Sequence, residues 1–270
     1  MTSRLILCAD DFAISPAVSG AIAELAADGK INATSCMAIM PGWRADQRLL
    51  ADLPEGVAIG LHVVLTDLAP LTGASALAPG GTLPRLGQLA RLSVIGGLPL
   101  DAIRAEIEAQ FDRFADAAGR PPAFVDGHQH CHHLPHIRRL VLEVAARRSP
   151  GAWLRDCTDR PSGMAARPFA IKAFRSAAWS ARFAKDAAAL GLGTNNGFAG
   201  HYDFRRSLEG LFARFLARPG RRHLVMCHPG AGDLAGDSIA AARRAEYAVL
   251  KTLPVRELAE AAGLSFDSAA

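Results

Sequence analysis

The sequence of 270 residues has no run of 18 consecutive apolar residues, although half of it is hydrophobic. A membrane-spanning helix is therefore not expected. Charged residues make up only 21%, and with this apolar content that excludes an intrinsically disordered chain. Lysine is scarce: only residues 30, 172, 185 and 251, out of thirty basic residues, the rest being arginine. The arginines include scattered pairs (138–139, 147–148, 205–206, 221–222, 243–244) and form no single block. A net charge of +4 thus reads as solvated helix faces, and no nucleic-acid partner is expected. The five cysteines (8, 36, 131, 157, 227) are odd in number and form no C-x-x-C pair, against a disulfide framework or a zinc knot. Reduced thiols and a beginning without a long apolar stretch or a small-residue cleavage site fit a cytoplasmic address. The phosphate loops G-x-G-x-x-G and G-x-x-x-x-G-K-[ST] are absent as well, as are internal repeats and a Ser/Gly linker.

What is present is a rhythm of short apolar runs and longer amphipathic ones. Residues 4–9, 33–40, 57–63, 124–128, 153–157, 193–199 and 223–227 read as strands, with a short final one at 264–266. Ser15-Pro16 is an N-cap followed by proline at the first helical position, and the helix it opens runs to 28 before Gly29. Further helices are expected over 100–118, 135–148, 165–190 (broken), 204–217, 238–253 and 255–262. Residues 66–99, rich in Gly, Pro, Ala and Leu, interrupt the rhythm and read as a long insertion loop. Leu83, Leu86, Leu89, Leu92 and Ile95 make it lid-like or dimer-forming, and a homodimer is expected. The fold expected is a single α/β domain over 1–270, a (β/α)7–8 TIM-like barrel. An open doubly wound sheet fits the same rhythm, but the missing nucleotide loops favour the barrel.

In a barrel the chemistry gathers just beyond the C-terminal ends of the strands. There the sequence places Asp10 and Asp11, then His62, then Asp126, His128, His130, His132 and His133, then Arg155 and Asp156, then His228. Six of the nine histidines fall in this set. Carboxylates and imidazoles converging from different strands are what a divalent ion needs, with positions left for water and substrate. Adjacent aspartates at a strand end point in different directions and so take different roles.

Four segments carry a family resemblance: Ala9-Asp10-Asp11-Phe12, Gly60-Leu61-His62-Val63-Val64-Leu65-Thr66, Asp126-Gly127-His128-Gln129-His130 with Leu134-Pro135, and Val225-Met226-Cys227-His228-Pro229-Gly230. In this order, over residues 4 to about 230, they resemble the YdjC-like (ChbG/HpnK) carbohydrate deacetylases. The resemblance implies a (β/α) barrel related to polysaccharide deacetylases, and removal of the N-acetyl group from an N-acetylglucosamine-containing sugar or glycoconjugate. It places one divalent metal on Asp11, His62 and His128, with Asp10 as general base and His228 as general acid. Magnesium or zinc is expected, and the ligand set also accepts Mn, Co or Ni. Two positions depart from the family's Asn-Ala-Asp-Asp-Phe-Gly: Cys8 stands for Asn and Ala13 for Gly.

Around this set Arg155 either orients Asp10 through a charge-assisted hydrogen bond or pairs with Asp156 or Asp159. Candidate substrate contacts are Thr66, His130, His132 and Trp43. The two histidines could equally pack the loop. Trp43, like Trp153 and Trp179, could stack on a sugar ring or belong to the core. The expected partner is a small acetylated amino sugar or a glycolipid. Hydrolysis of a phosphoester or a non-sugar amide, and a sugar- or metal-binding protein without catalysis, are the competing readings.

Overall fold

The computed structural model of the protein describes residues 3–73, 76–232, 234 and 236–269. The ends of the expected 1–270 domain and positions 74–75 of the insertion lie outside the described residues. Strands β1 (Arg4–Phe12), β2 (Ala33–Cys36), β3 (Ala58–Val63), β4 (Phe124–Gly127), β5 (Trp153–Leu154), β6 (Gly193–Thr194), β7 (Phe198–Ala199) and β8 (Arg222–Cys227) form one sheet. Its order is β6-β5-β4-β3-β2-β1-β8-β7, and every pairing is parallel.

The helices are α1 (Pro16–Ala27), α2 (Trp43–Asp46), α3 (Leu86–Ile95), α4 (Leu100–Ala118), α5 (Ile137–Arg148), α6 (Pro161–Ala166), α7 (Ala170–Trp179), α8 (Phe183–Ala188), α9 (Leu208–Phe215), α10 (Ala240–Thr252) and α11 (Val255–Ala261). None of the helices among the described residues is long and apolar enough to cross a membrane. The start of α1 follows its sequence signal: the Ser15 hydroxyl accepts from the Val18 N–H at 3.2 Å, with Pro16 at the first helical position.

The sheet curls into a barrel because its two edges belong to one stretch of chain. Residues 193–199, expected as a single strand, switch partner midway. The first half pairs with β5 and the second with β8. At the corner the Asn195 amide replaces the lost ladder, accepting from the Asp156 N–H and donating to the carbonyls of Asp156 and Gly197. β2 is shorter than expected. After Cys36 the chain turns, with the Met37 N–H bonded to the Phe12 carbonyl and the Met40 N–H to that of Met37.

Both faces of the sheet are buried, so the strands read as continuous apolar runs. Their period of two sorts side chains into two cores. Leu5 and Leu7 face the helices and pack in one cluster with residues such as Ile22, Leu25 and Val141. Ile6, Cys8, Ala33, Ala58, Phe124, Trp153, Phe198, Leu224 and Met226 fill the inside of the barrel. Phe124 and Trp153 stack there, ring centroids 4.4 Å apart. Gly60 makes room for them, since a Cβ at that position would lie 2.5 Å from the Phe124 ring.

Candidate active site

The same alternation builds the site. Stepping by two along the inner face, each strand passes from apolar to polar: Ile6, Cys8, Asp10 on β1; Ala33, Ser35 on β2; Ala58, Gly60, His62 on β3; Phe124, Asp126 on β4, with His128 just beyond; Trp153, Arg155 from β5; Leu224, Met226, His228 from β8. The aromatic floor of the barrel thus carries a polar layer at its C-terminal mouth. Asp11 breaks the parity. Its φ of 67°, within the register shift between Ala9 and Phe12, turns a side chain that would face outward toward the mouth.

The adjacent aspartates consequently face different partners. Asp11 Oδ1 lies 3.1 Å from His128 Nδ1 and 3.4 Å from His62 Nε2, and its Oδ2 accepts from Arg243 Nη2 at 2.7 Å. Burial acts to raise the Asp11 pKa, but His128, His62 and Arg243 hold it well below the usual carboxylate range. On the far side of the His62 ring, Nδ1–H donates to Asp126 at 2.6 Å, and the Ser35 hydroxyl donates to the same carboxylate. This pairing fixes the ring so that Nε2 faces Asp11. Burial acts to lower the His62 pKa, yet Asp126 and Asp11 push it up to about 10.

Asp10 faces a guanidinium. Arg155, fully buried, meets both its oxygens at 2.5 and 2.6 Å and ion-pairs with Asp126 at 2.6 Å. Cys8 sits beside them, its sulfur 3.1 Å from Arg155 Nη2 and 3.5 Å from Asp10 Oδ1. Burial pushes this thiol well up, so a neutral sulfur occupies the place of the family's asparagine. His228 Nε2 stands 3.9 Å from Asp10 Oδ2. The His228 main-chain N–H and the Tyr202 hydroxyl both donate to the Glu246 carboxylate on α10.

Two clusters among the described residues have the composition of a cation site, and only one fits. Of the other cluster, Cys8 is a neutral thiol and both carboxylates, Asp10 and Asp126, are already bound by the Arg155 guanidinium. Asp11, His62 and His128 each offer one ligand atom. Atoms bound at about 2.0–2.2 Å to one ion and 90–110° apart stand roughly 2.9–3.5 Å from one another, and the 3.1 and 3.4 Å separations to Asp11 Oδ1 fall in that interval. All three residues line a cleft of about 920 Å³, together with Asp10, His130, His228, Arg243 and apolar residues including Ile14, Met40, Leu86 and Phe204.

A model of the YdjC-like protein family matches residues 4–261. The chain belongs to the YdjC-like family. Its relatives include a chitooligosaccharide deacetylase of Citrobacter koseri, 34% identical over 236 residues that cover 85% of this chain and 82% of the relative. A chitooligosaccharide deacetylase of an Enterobacter strain is 37% identical over 152 residues; the match spans 55% of this chain and 58% of the relative. Among solved structures, an Enterococcus faecalis V583 protein provisionally named for cellobiose-phosphate cleavage superposes over 100% of this chain and 98% of its own, with a TM-score of 0.77 at 19% identity. At that identity the likeness shows a shared fold. The (β/α) barrel expected from the sequence is the fold of this YdjC-like chain.

Of the ten site residues read from the sequence, seven converge at this mouth: Asp10, Asp11, His62, His128, His130 and His228 line the cleft, and Arg155 lies beneath Asp10. Arg155 pairs with Asp10 and Asp126, whereas Asp159 is bound by Arg167. The other three do not reach the cleft. Trp43 is buried on α2, stacked on Phe114 at 5.2 Å with its indole N–H on the Arg113 carbonyl. His132 is buried against Phe183 and hydrogen-bonded to the Arg155 carbonyl. Thr66 is wholly buried after β3. These positions correct the expected substrate contacts: a buried side chain behind the wall cannot touch a sugar. The insertion instead supplies Asp67, Leu68 and Leu86 to the cleft. Arg243 and Glu246 were missed because their partners, Asp11 and Tyr202, are 232 and 44 residues away, and no local spacing announces such a contact.

Proposed function

We propose that this YdjC-like chain is a metal-dependent hydrolase that removes the N-acetyl group from an N-acetylglucosamine-containing saccharide. The observation that carries the reading is the approach of His228 Nε2 to within 3.9 Å of Asp10 Oδ2 on the cleft lining, beside the Asp11–His62–His128 set. The names of its relatives support the substrate class. A divalent ion held by Asp11, His62 and His128 would act as a Lewis acid toward the acetyl carbonyl and acidify a water.

The chain's own residues do the proton work. Asp10, fixed by both Arg155 nitrogens, accepts the proton of the attacking water through the oxygen that faces the cleft. Arg155 keeps that carboxylate in one rotamer, so no orientation is lost at the moment of attack. Asp126 keeps the His62 Nε2 directed at Asp11. His228, its main chain held by Glu246, lies within reach of the departing amine nitrogen and protonates it, a step worth about 10²–10⁴-fold. Phe204 packs edge-on against the His228 ring at 5.4 Å.

The test is elemental analysis of the purified protein combined with acetate release from N-acetylated chitooligosaccharides. Asp10→Asn is expected to retain one divalent ion per chain and lose at least about 10²-fold in turnover. Asp11→Asn and His128→Ala are expected to lose the ion. Near-wild-type acetate release by Asp10→Asn removes the assigned base. Phosphate release from esters, without acetate from any acetylated sugar, removes the reading.

A further inference from the structure

The face of the molecule formed by α7 is built from side chains that a solvated helix does not need. None of its ten residues is buried. Ile171 is 79% exposed, Phe174 42% and Trp179 41%, and Leu190 beyond α8 is 43% exposed. On a helical wheel Phe174, Ala178, Ile171, Arg175 and Trp179 share one outward arc. The charges around this arc have one sign. Residues 160–185 contain Arg160, Arg167, Lys172, Arg175, Arg182 and Lys185 and no aspartate or glutamate. Of the carboxylates that bracket the stretch, Asp159 pairs with the buried Arg167 and Asp186 with Arg138 outside it. Among the described residues none forms an ion pair with Arg175, Arg182 or Lys185.

We infer that α7 and the basic turn after it dock this protein on an anionic phospholipid surface. The chemistry matches on both counts. An interfacial helix presents Trp, Phe and Ile to the headgroup–acyl boundary and Lys or Arg to the lipid phosphates. Trp179 and Arg182 at the end of α7 put an aromatic anchor and a cation together. A water-soluble partner would find the apolar arc but would leave the unpaired cations unused unless it were itself acidic. The geometry gives the docking a consequence. Lys172 of α7 lines the catalytic cleft and donates to the Tyr202 carbonyl at 2.7 Å, so the docked face adjoins the mouth of the barrel. This inference does not depend on the hydrolytic reading.

The test is sedimentation of the full chain with vesicles of phosphatidylcholine, with and without 30% phosphatidylglycerol, at about 0.1 M salt. Binding to the anionic vesicles alone is expected, weakened by several-fold at high salt as the cations are screened. The double variant Arg175→Glu/Lys185→Glu is expected to lose roughly five-fold or more per cation. Ile171→Glu/Phe174→Glu is expected to lose at least about tenfold. All four side chains lie outside the cleft lining, so thermal unfolding and hydrolysis of a soluble substrate are expected to stay unchanged. Sedimentation no greater than with phosphatidylcholine, or binding that both variants keep, overturns the inference. Self-association without vesicles that Ile171→Glu/Phe174→Glu abolishes overturns it as well, by assigning the face to a second copy of the chain.

Discussion

Asp126 does not itself line the cleft, yet three groups of the site are arranged around it: the His62 ring, the Ser35 hydroxyl and the Arg155 guanidinium. Asp126→Asn leaves the ligand set intact but removes the charge that holds His62 in its tautomer. Such outer partners are typically worth 10–100-fold in metal affinity. The variant is therefore expected to bind its ion that much more weakly in a chelator competition, with activity recovered at high metal concentration. Activity that excess metal fails to restore would mean that Asp126 acts in the chemistry itself. Ala13 tests the backbone of the same loop. It holds φ at 75°, where a Cβ costs about 1–2 kcal/mol. Ala13→Gly should gain roughly 0.5–1 kcal/mol after the extra freedom of the unfolded chain is set against the relief. A denaturant titration reads it directly, and a loss of stability would show that the Ala13 methyl packs for more than its conformation costs.

The elements that the sequence announced are those with local signals. β1 and α1 carry an apolar run, a cap and a proline in the right order, and the polar ends of β1, β3, β4 and β8 fall at strand ends. What was not legible depends on distant partners. Residues 193–199 look like one strand because the switch from β5 to β8 is decided by the circumference of the barrel. α3 lies hidden within 66–99, where glycine and proline outweigh the leucine spacing; Leu83 and Leu89 of that spacing are buried. The insertion is not loose. Gln110 on α4 brackets Val64, accepting from its N–H and donating to its carbonyl, and the buried Glu106 accepts from the Leu71 and Thr72 N–H groups and the Thr72 hydroxyl. Glu106→Ala leaves those donors without an acceptor, a cost of about 1–3 kcal/mol. Hydrogen exchange at Leu71 and Thr72 should quicken while β1 stays protected. Because Asp67 and Leu68 line the cleft, KM is expected to rise more than kcat falls. An equal fall in both would place Glu106 in the transition state's surroundings instead.

At the scale of the whole molecule, the histidines outside the cation site set the response to acid. His132 and His223 are fully buried, and each is pushed down to about 4, by desolvation first and then, for His223, by the Arg167 cation. Burial holds each neutral against the pull of the carbonyl it meets. His132 hydrogen-bonds the Arg155 carbonyl. His223 Nε2–H donates to the Phe215 carbonyl, and its Nδ1 accepts from the Gly220 N–H. In the unfolded chain both take up a proton near pH 6.5. Between pH 6.5 and about 4 the unfolded state therefore binds more protons than the folded one, so stability rises with pH across that window. Above it the contribution is complete, and on acidification it is lost at up to about 1.4 kcal/mol per pH unit for each histidine. Asp11 and Asp126, both held below the usual carboxylate range, add a loss of the same sign below about pH 4. Urea unfolding at pH 7 and pH 5 is expected to differ by roughly 2–4 kcal/mol, with the m-value unchanged. Equal midpoints at the two pH values would show that water or a cation reaches these rings and that the barrel wall behind the site is less closed than its packing requires.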